Sequence, residues 1–172
     1  MEIFDQKHFL YQRLLAEAKG FGLEINHKLS APEKPWGAYI RFQDSSLQTF
    51  IDAYWKDSRV ELNSDGLRLA PKILLVAPGA RLSLQYHARR QEHWRVLAGP
   101  VKVIIGPDGT SLREYTLHTG EIIQIPVGYW HRIVGLNGWG VISELWGHID
   151  PNSPSDEDDI VRVDDDYSRG NS

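Results

Sequence analysis

The 172-residue chain contains no cysteine and a single methionine. Without thiols there can be no disulfide, no thiolate metal ligand and no cysteine nucleophile, so any metal must be held by nitrogen and oxygen donors. No apolar run approaches the roughly 18 residues that a membrane-spanning helix needs. The opening MEIFDQKHFL has no basic stretch leading into an apolar core, as a secretory leader would. A cytoplasmic location, with no membrane partner, is the expectation. A basic excess is also missing: the net charge is −4. Residues 1–149 carry +2, and the stretch from Asp150 to Ser172 carries −6. A mildly basic body with an acidic tail excludes the basic face of a nucleic-acid binder and suits a small anionic ligand. On composition alone the tail reads as a solvated terminus.

Apolar residues make up 41% and charged residues 24%, an ordinary globular balance. At roughly 100–200 residues per domain, the length suits one domain. Residues 5–19 predict a helix, with Phe9, Leu10, Leu14, Leu15 and Ala18 near helical spacing and Gly20 and Gly22 ending it. A short strand over 23–27, a turn-rich connection over 30–37 and a strand over 38–42 follow. Residues 46–57 predict a second helix, with Leu47, Phe50, Ile51, Tyr54 and Trp55 on one face.

After Gly66 the texture changes. Short apolar segments at 72–77, 82–86, 93–97, 101–105, 112–117, 121–125, 131–134 and 141–146 alternate with glycine- and proline-bearing turns. So many closely spaced strands predict an all-β sandwich or barrel. In the strand through Arg81–His87, alternation puts Ser83, Gln85 and His87 on one face. Glu92 opens the next strand, and His131 begins a later one just after Pro126-Val127-Gly128. If these strands neighbour one another, Gln85, His87, Glu92 and His131 offer two nitrogen and two oxygen donors to a divalent metal ion. One carboxylate in that set leaves the ion net positive, able to polarise a substrate oxygen. His8, His27, His118 and His148 have no such company and read as packed or surface histidines.

The spacing around these residues resembles the cupin superfamily. Gly79, five residues, Gln85-Tyr86-His87, four residues, Glu92, six residues and Gly99 reproduce the first cupin motif, with Gln85 in place of its first histidine. Gly120, five residues, Pro126-Val127-Gly128, two residues and His131 reproduce the second, with Gly135 where an asparagine is usual. The stretch PGARLSLQYHARRQEHW is similar to the type II phosphomannose isomerase cupin. So are Pro35-Trp36-Gly37 with Tyr39, Lys72, and the closing EDDIVRVDDDYSR of residues 157–169.

The resemblance implies a jelly-roll (double-stranded β-helix) fold over residues 31–172 with a helical extension over 1–30. It implies an aldose–ketose isomerase converting mannose 6-phosphate to fructose 6-phosphate, and a homodimer. The ligands would be Gln85, His87, Glu92 and His131, with Zn the first choice and Mn, Fe, Co or Ni also fitting. Lys72 would handle or polarise a proton, with a pKa lowered by burial, and Arg162 would bind the phosphate. Other readings are a metal-bearing cupin that binds a sugar without turnover, a free-sugar isomerase or an oxygenase. By the closing motif, the acidic tail would be an ordered segment folded back toward the barrel. Departures from the family pattern are Ala88-Arg89-Arg90 in place of a histidine run, Trp146 for glutamine, Ser168 for glycine, and the helical insertion at 46–57.

Overall fold

The strands of this chain carry two kinds of burial, and that decides the architecture. The computed structural model describes residues 3–58, 69–150 and 152–169. It contains helix α1 (Ile3–Gly20), strands β1 (Ala31–Lys34) and β2 (Gly37–Arg41), a 3₁₀ turn at Asp44–Ser46 and helix α2 (Leu47–Tyr54). Nine strands follow: β3 (Leu69–Val76), β4 (Leu84–Tyr86), β5 (Arg90–Ala98), β6 (Val101–Gly106), β7 (Arg113–Leu117), β8 (Ile122–Ile125), β9 (Trp130–Gly135), β10 (Gly140–His148) and β11 (Val161–Asp164). They form a six-stranded sheet in the order β1-β2-β3-β10-β5-β8 and a five-stranded sheet in the order β11-β4-β9-β6-β7. All pairings within them are antiparallel. This is the predicted all-β jelly roll.

The central strands of the six-stranded sheet are buried on both faces, so they read as continuous apolar runs. Ile73 and Leu75 of β3 and Val141 and Leu145 of β10 join a cluster with Tyr11, Leu14 and Ala18 of α1 and Phe50 and Tyr54 of α2. The two helices therefore cover the outer face of this sheet. The alternate residues, Leu74, Val76, Trp94, Val96 and Ile142, meet Val103, Ile105 and Ile133 of the other sheet in the barrel interior. Strand alternation puts Lys72, Glu92 and Glu144 on this same inward face. Three charged side chains in an otherwise apolar interior mark where the fold serves something other than packing.

Two glycines act through sterics. A Cβ on Gly37, at φ +147°, would stand 1.8 Å from the Leu75 carbonyl oxygen, so no side chain fits where β2 meets β3. Gly128, at φ +77°, forms the turn into β9, and its N–H donates to the His87 carbonyl at 2.9 Å. That bond ties together the loops carrying two candidate ligands.

Several expectations need adjustment. The helix at 46–57 is a 3₁₀ turn followed by the shorter α2. Residues 23–27 make only a single bridge, between Ile25 and Phe42, and part of the turn-rich stretch is strand β1. Phe9 is exposed, and Tyr11 takes its place on the buried face of α1. Gly66 lies outside the described residues. The acidic tail is not a solvated terminus: β11 pairs with β4, placing Arg162 opposite Gln85.

Candidate metal centre

Four backbone positions bring the predicted ligands together. His87 follows β4, Glu92 lies on β5 and His131 on β9, and Gln85 of β4 is paired directly with His131. His87, Glu92 and His131 each present one ligand atom, all within 4.8 Å of one another, and all three side chains are at most 2% exposed. His87 Nε2 is 3.2 Å from Glu92 Oε1, and His131 Nε2 is 3.5 Å from Glu92 Oε2.

The proton positions follow from the partners. His131 Nδ1 faces the Tyr129 carbonyl at 2.8 Å, and His87 Nδ1 faces the Asp159 carbonyl. A carbonyl only accepts, so each Nδ1 donates, and a neutral imidazole in that tautomer keeps its lone pair on Nε2. Burial, with the nearby His87 and Arg90, outweighs the pull of Glu92 and lowers His131 to about 4, so it is neutral at pH 7. Glu92 is held well below the usual carboxylate range: burial pushes it up, but His87, Arg90 and His131 outweigh that. A lone pair of His131 thus faces an ionised carboxylate oxygen, and among the described residues neither Glu92 Oε2 nor His131 Nε2 has a hydrogen-bond partner. Two buried acceptors facing one another are costly unless a cation lies between them. The donor set fits a divalent metal with N/O preference.

Gln85 reaches this group through its amide nitrogen, 3.3 Å from His87 Nε2, while its Oε1 accepts from Ser83 Oγ at 2.6 Å. Rotating the amide by half a turn would aim the oxygen at the ligands and leave the NH₂ facing Ser83 Oγ, which can also accept. Arg90, part of the stretch that stands in place of the family's histidine run, lies at the centre. Its Nε donates to Glu92 Oε1 at 2.9 Å, and its Nη2 is 3.1 Å from His87 Nε2.

Gln85 and Glu92 also line a cavity of about 100 Å³. Lys34, Lys72, Arg90, Arg162 and Arg169 line it against only three carboxylates, Glu92, Glu144 and Glu157, together with Trp36, Tyr39 and Trp94. The cations crowd one another: burial and Arg169 lower the pKa of Arg162, and burial, Arg169 and Arg162 lower that of Lys34. Lys72 and Arg162 are therefore both brought to the cavity. A wider groove of about 850 Å³, near β7 and β8, is lined largely by apolar side chains and contains none of these groups.

Lys72 departs from its expected chemistry. It is buried, with Nζ 3.1 Å from Glu157 Oε1 and 3.7 Å from Glu144 Oε1. Burial alone would lower its pKa, but the two carboxylates outweigh it and the pKa is raised. Lys72 stays an ammonium. Glu144 was not among the predicted site residues. The signal was present, as one acid in the apolar strand around 141–146. Glu157 likewise became a cavity residue only through the folding back of the tail.

The fold and this donor set define a cupin barrel. The chain belongs to the family described as mannose-6-phosphate isomerase C-terminal, whose model matches residues 43–165. It is 35% identical over 136 residues to the xanthan biosynthesis protein XanB of Xanthomonas campestris pv. campestris strain B100, covering 79% of this chain and 23% of that one. It is 32% identical over 158 residues to the mannose-1-phosphate guanylyltransferase ManC of Salmonella typhimurium strain LT2, covering 92% of this chain and 27% of that one. The chain therefore spans about a quarter of the length of these curated relatives. In fold it is similar to the capsular polysaccharide assembling protein CapF of Staphylococcus aureus, with TM-score 0.53 at 19% identity over 83% of this chain and 33% of that one. It is also similar to an oxalate decarboxylase, with TM-score 0.52 at 17% identity over 76% of this chain and 29% of that one.

Proposed function

We propose that this chain is a metal-dependent aldose–ketose isomerase acting on a phosphosugar, mannose 6-phosphate to fructose 6-phosphate. The observation that carries the reading is five cationic side chains against three carboxylates around a cavity lined by Gln85 and Glu92 of the candidate ligand group. His87, Glu92, His131 and Gln85 would hold the ion, which when bound supplies a Lewis acid for the C1 and C2 oxygens. Lys72, as an ammonium, donates a hydrogen bond to the oxygen that gains charge as the carbonyl enolises. Arg162, with Lys34 and Arg169 beside it, engages the phosphate. Trp36, Tyr39 and Trp94 wall the cavity and exclude water.

Ligand pockets usually measure about 300–1,000 Å³, so a cavity of about 100 Å³ must open to admit a hexose phosphate. Glu157, with its side chain 39% exposed, is the most exposed of the three carboxylates in the wall. The small size of the cavity is the observation that favours a second reading, a metal-bearing cupin that binds a sugar phosphate without turning it over.

Metal analysis, followed by an isomerase assay on mannose 6-phosphate with that metal restored, tests the proposal. Turnover that is abolished by chelation and recovered on metal addition is the expected result. Tight phosphosugar binding with no turnover overturns the isomerase reading in favour of the second one.

A further inference from the structure

An aldose–ketose isomerase needs a base that moves a proton between adjacent carbons, and the cavity offers three carboxylates. Glu92 is a candidate metal ligand, with Oε1 accepting from Arg90 and Oε2 facing His131. Glu157 lies on the folded-back acidic tail, with its side chain 39% exposed, and accepts from Lys72 through both oxygens. Glu144 is placed differently. It sits in the middle of β10, directly between Lys72 on β3 and Trp94 on β5, facing the barrel interior. Its diagonal neighbour across β5 is Glu92, about 7 Å away by sheet geometry. That spacing puts Glu144 and the ligand group on one wall of the cavity that must open to the substrate.

The two oxygens of Glu144 have separate surroundings. Oε2 accepts from Trp94 Nε1 at 3.1 Å, and the same indole stands edge-on to the His131 ring with centroids 5.3 Å apart. Oε1 stands 3.7 Å from Lys72 Nζ, beyond hydrogen-bond length. Charge balance does not require it, because Glu157 is already closer to Lys72. A buried carboxylate with one oxygen anchored and the other only loosely engaged is costly for the fold and suited to proton transfer.

We propose that Glu144 is the catalytic base of the reaction read above, and the inference rests on that reading. Glu144 Oε1 takes the C2 proton of the open-chain aldose. The C2–H electron pair becomes the C1=C2 bond and the C1 carbonyl pair moves to O1. The O2 proton passes to O1, Glu144 returns its own proton to C1, and the pair left on O2 closes the C2 carbonyl. Atoms and electrons balance with no oxidant or reductant. Burial and the nearby Glu92 push the Glu144 carboxyl up to about 6, which makes it a stronger base than a surface glutamate while leaving it ionised at neutral pH.

The test compares metal-loaded wild type with Glu144→Gln and Glu144→Asp in D₂O on mannose 6-phosphate. NMR follows both fructose 6-phosphate formation and deuterium uptake at C2, calorimetry follows phosphosugar binding, and metal content is measured on each protein. The expected result for Glu144→Gln is a loss on the order of 10²–10⁴-fold in isomerisation and exchange together, with metal content and phosphosugar affinity unchanged. If that variant does not fold, Glu144→Asp, with its shortened reach, is expected to fold and to lose at least about tenfold in both rates. An active wild type with either folded variant at near-normal rates overturns Glu144 as the base and leaves the isomerase reading standing. A wild type that binds the phosphosugar but neither isomerises nor exchanges it overturns both.

Discussion

Nδ1 of His87 donates a hydrogen bond to the backbone carbonyl of Asp159, so the acidic tail orients a candidate metal ligand. The Asp159 side chain holds the same junction. It accepts from the Ala88 and Arg89 N–H groups, each at 3.0 Å, and from Ser155 Oγ at 2.7 Å. Burial pushes this carboxyl up, but these donors outweigh it and its pKa is lowered.

Asp159→Ala removes an ionised acceptor from a buried junction. Hydrogen bonds to charged groups contribute about 1.5–3 kcal/mol each, and they are not additive. The expected loss, measured by urea unfolding, is about 2–3 kcal/mol, with weakened metal affinity. Asp159→Asn, which keeps an acceptor oxygen, is expected to lose less. Wild-type stability and metal affinity in the alanine variant would detach the tail from the site.

Acid should unfold and empty this site together. The pKa of His131 falls from an unfolded value near 6.5 to about 4 in the folded chain. The unfolded chain therefore binds more protons between those values. The associated stability is present above about pH 6.5 and is lost as pH falls toward 4, for a total of about 3 kcal/mol in metal-free protein. Bound metal stays on at pH 6.5, because His131 needs no deprotonation there, and leaves as pH falls further. Denaturant titrations of the metal-free protein at several pH values, with metal release followed in parallel, check both statements.

Lys72 and Glu157 form an ion pair in the wall of the cavity. Lys72→Met leaves the buried Glu144 and the half-buried Glu157 without their ammonium, which is expected to cost about 3 kcal/mol and to reduce kcat strongly. Glu157→Gln instead removes a negative charge from the path of an anionic ligand. It is expected to lower the KM for the phosphosugar severalfold. An unchanged KM would mean that this segment does not govern entry.

Arg162 is tested by the split between binding and turnover. Arg162→Ala is expected to raise the KM for the phosphosugar more than it lowers kcat, the signature of lost uniform binding. The same variant assayed with inorganic phosphate as a competitor should show weaker inhibition. An unchanged KM removes Arg162 from the phosphate contact.

Legibility in the sequence followed the length scale of the cause. Strand alternation and glycine- or proline-marked turns are local, so an all-β sandwich or barrel and the segment holding Gln85, His87 and Glu92 could be read directly, the turn before His131 placed the fourth candidate ligand, and the resemblance narrowed the fold to a jelly roll. Lys72 was placed near the site by resemblance, but its ionisation depends on Glu144 and Glu157, one on a paired strand and the other 85 residues along the chain. Burial without partners would have lowered its pKa, and the partners reverse the sign. Arg90 looked equivalent to Arg81 and Arg89 in sequence. Only the fold turns Arg90 inward to Glu92 while Arg81 pairs with Asp166 and Arg89 with Asp156 outside. Phe9 was misassigned because helical spacing alone cannot choose between adjacent stripes, and the sheet buries Tyr11 instead.

The central claim is that His87, Glu92 and His131, with Gln85, hold a divalent metal. The most direct measurement is metal titration by calorimetry with elemental analysis, on wild type and on His87→Ala and Glu92→Ala. The account predicts equimolar uptake by wild type and loss of it in both variants, with circular dichroism showing the β fold retained. A wild type that takes up no metal, or a Glu92→Ala protein with full occupancy, would contradict it.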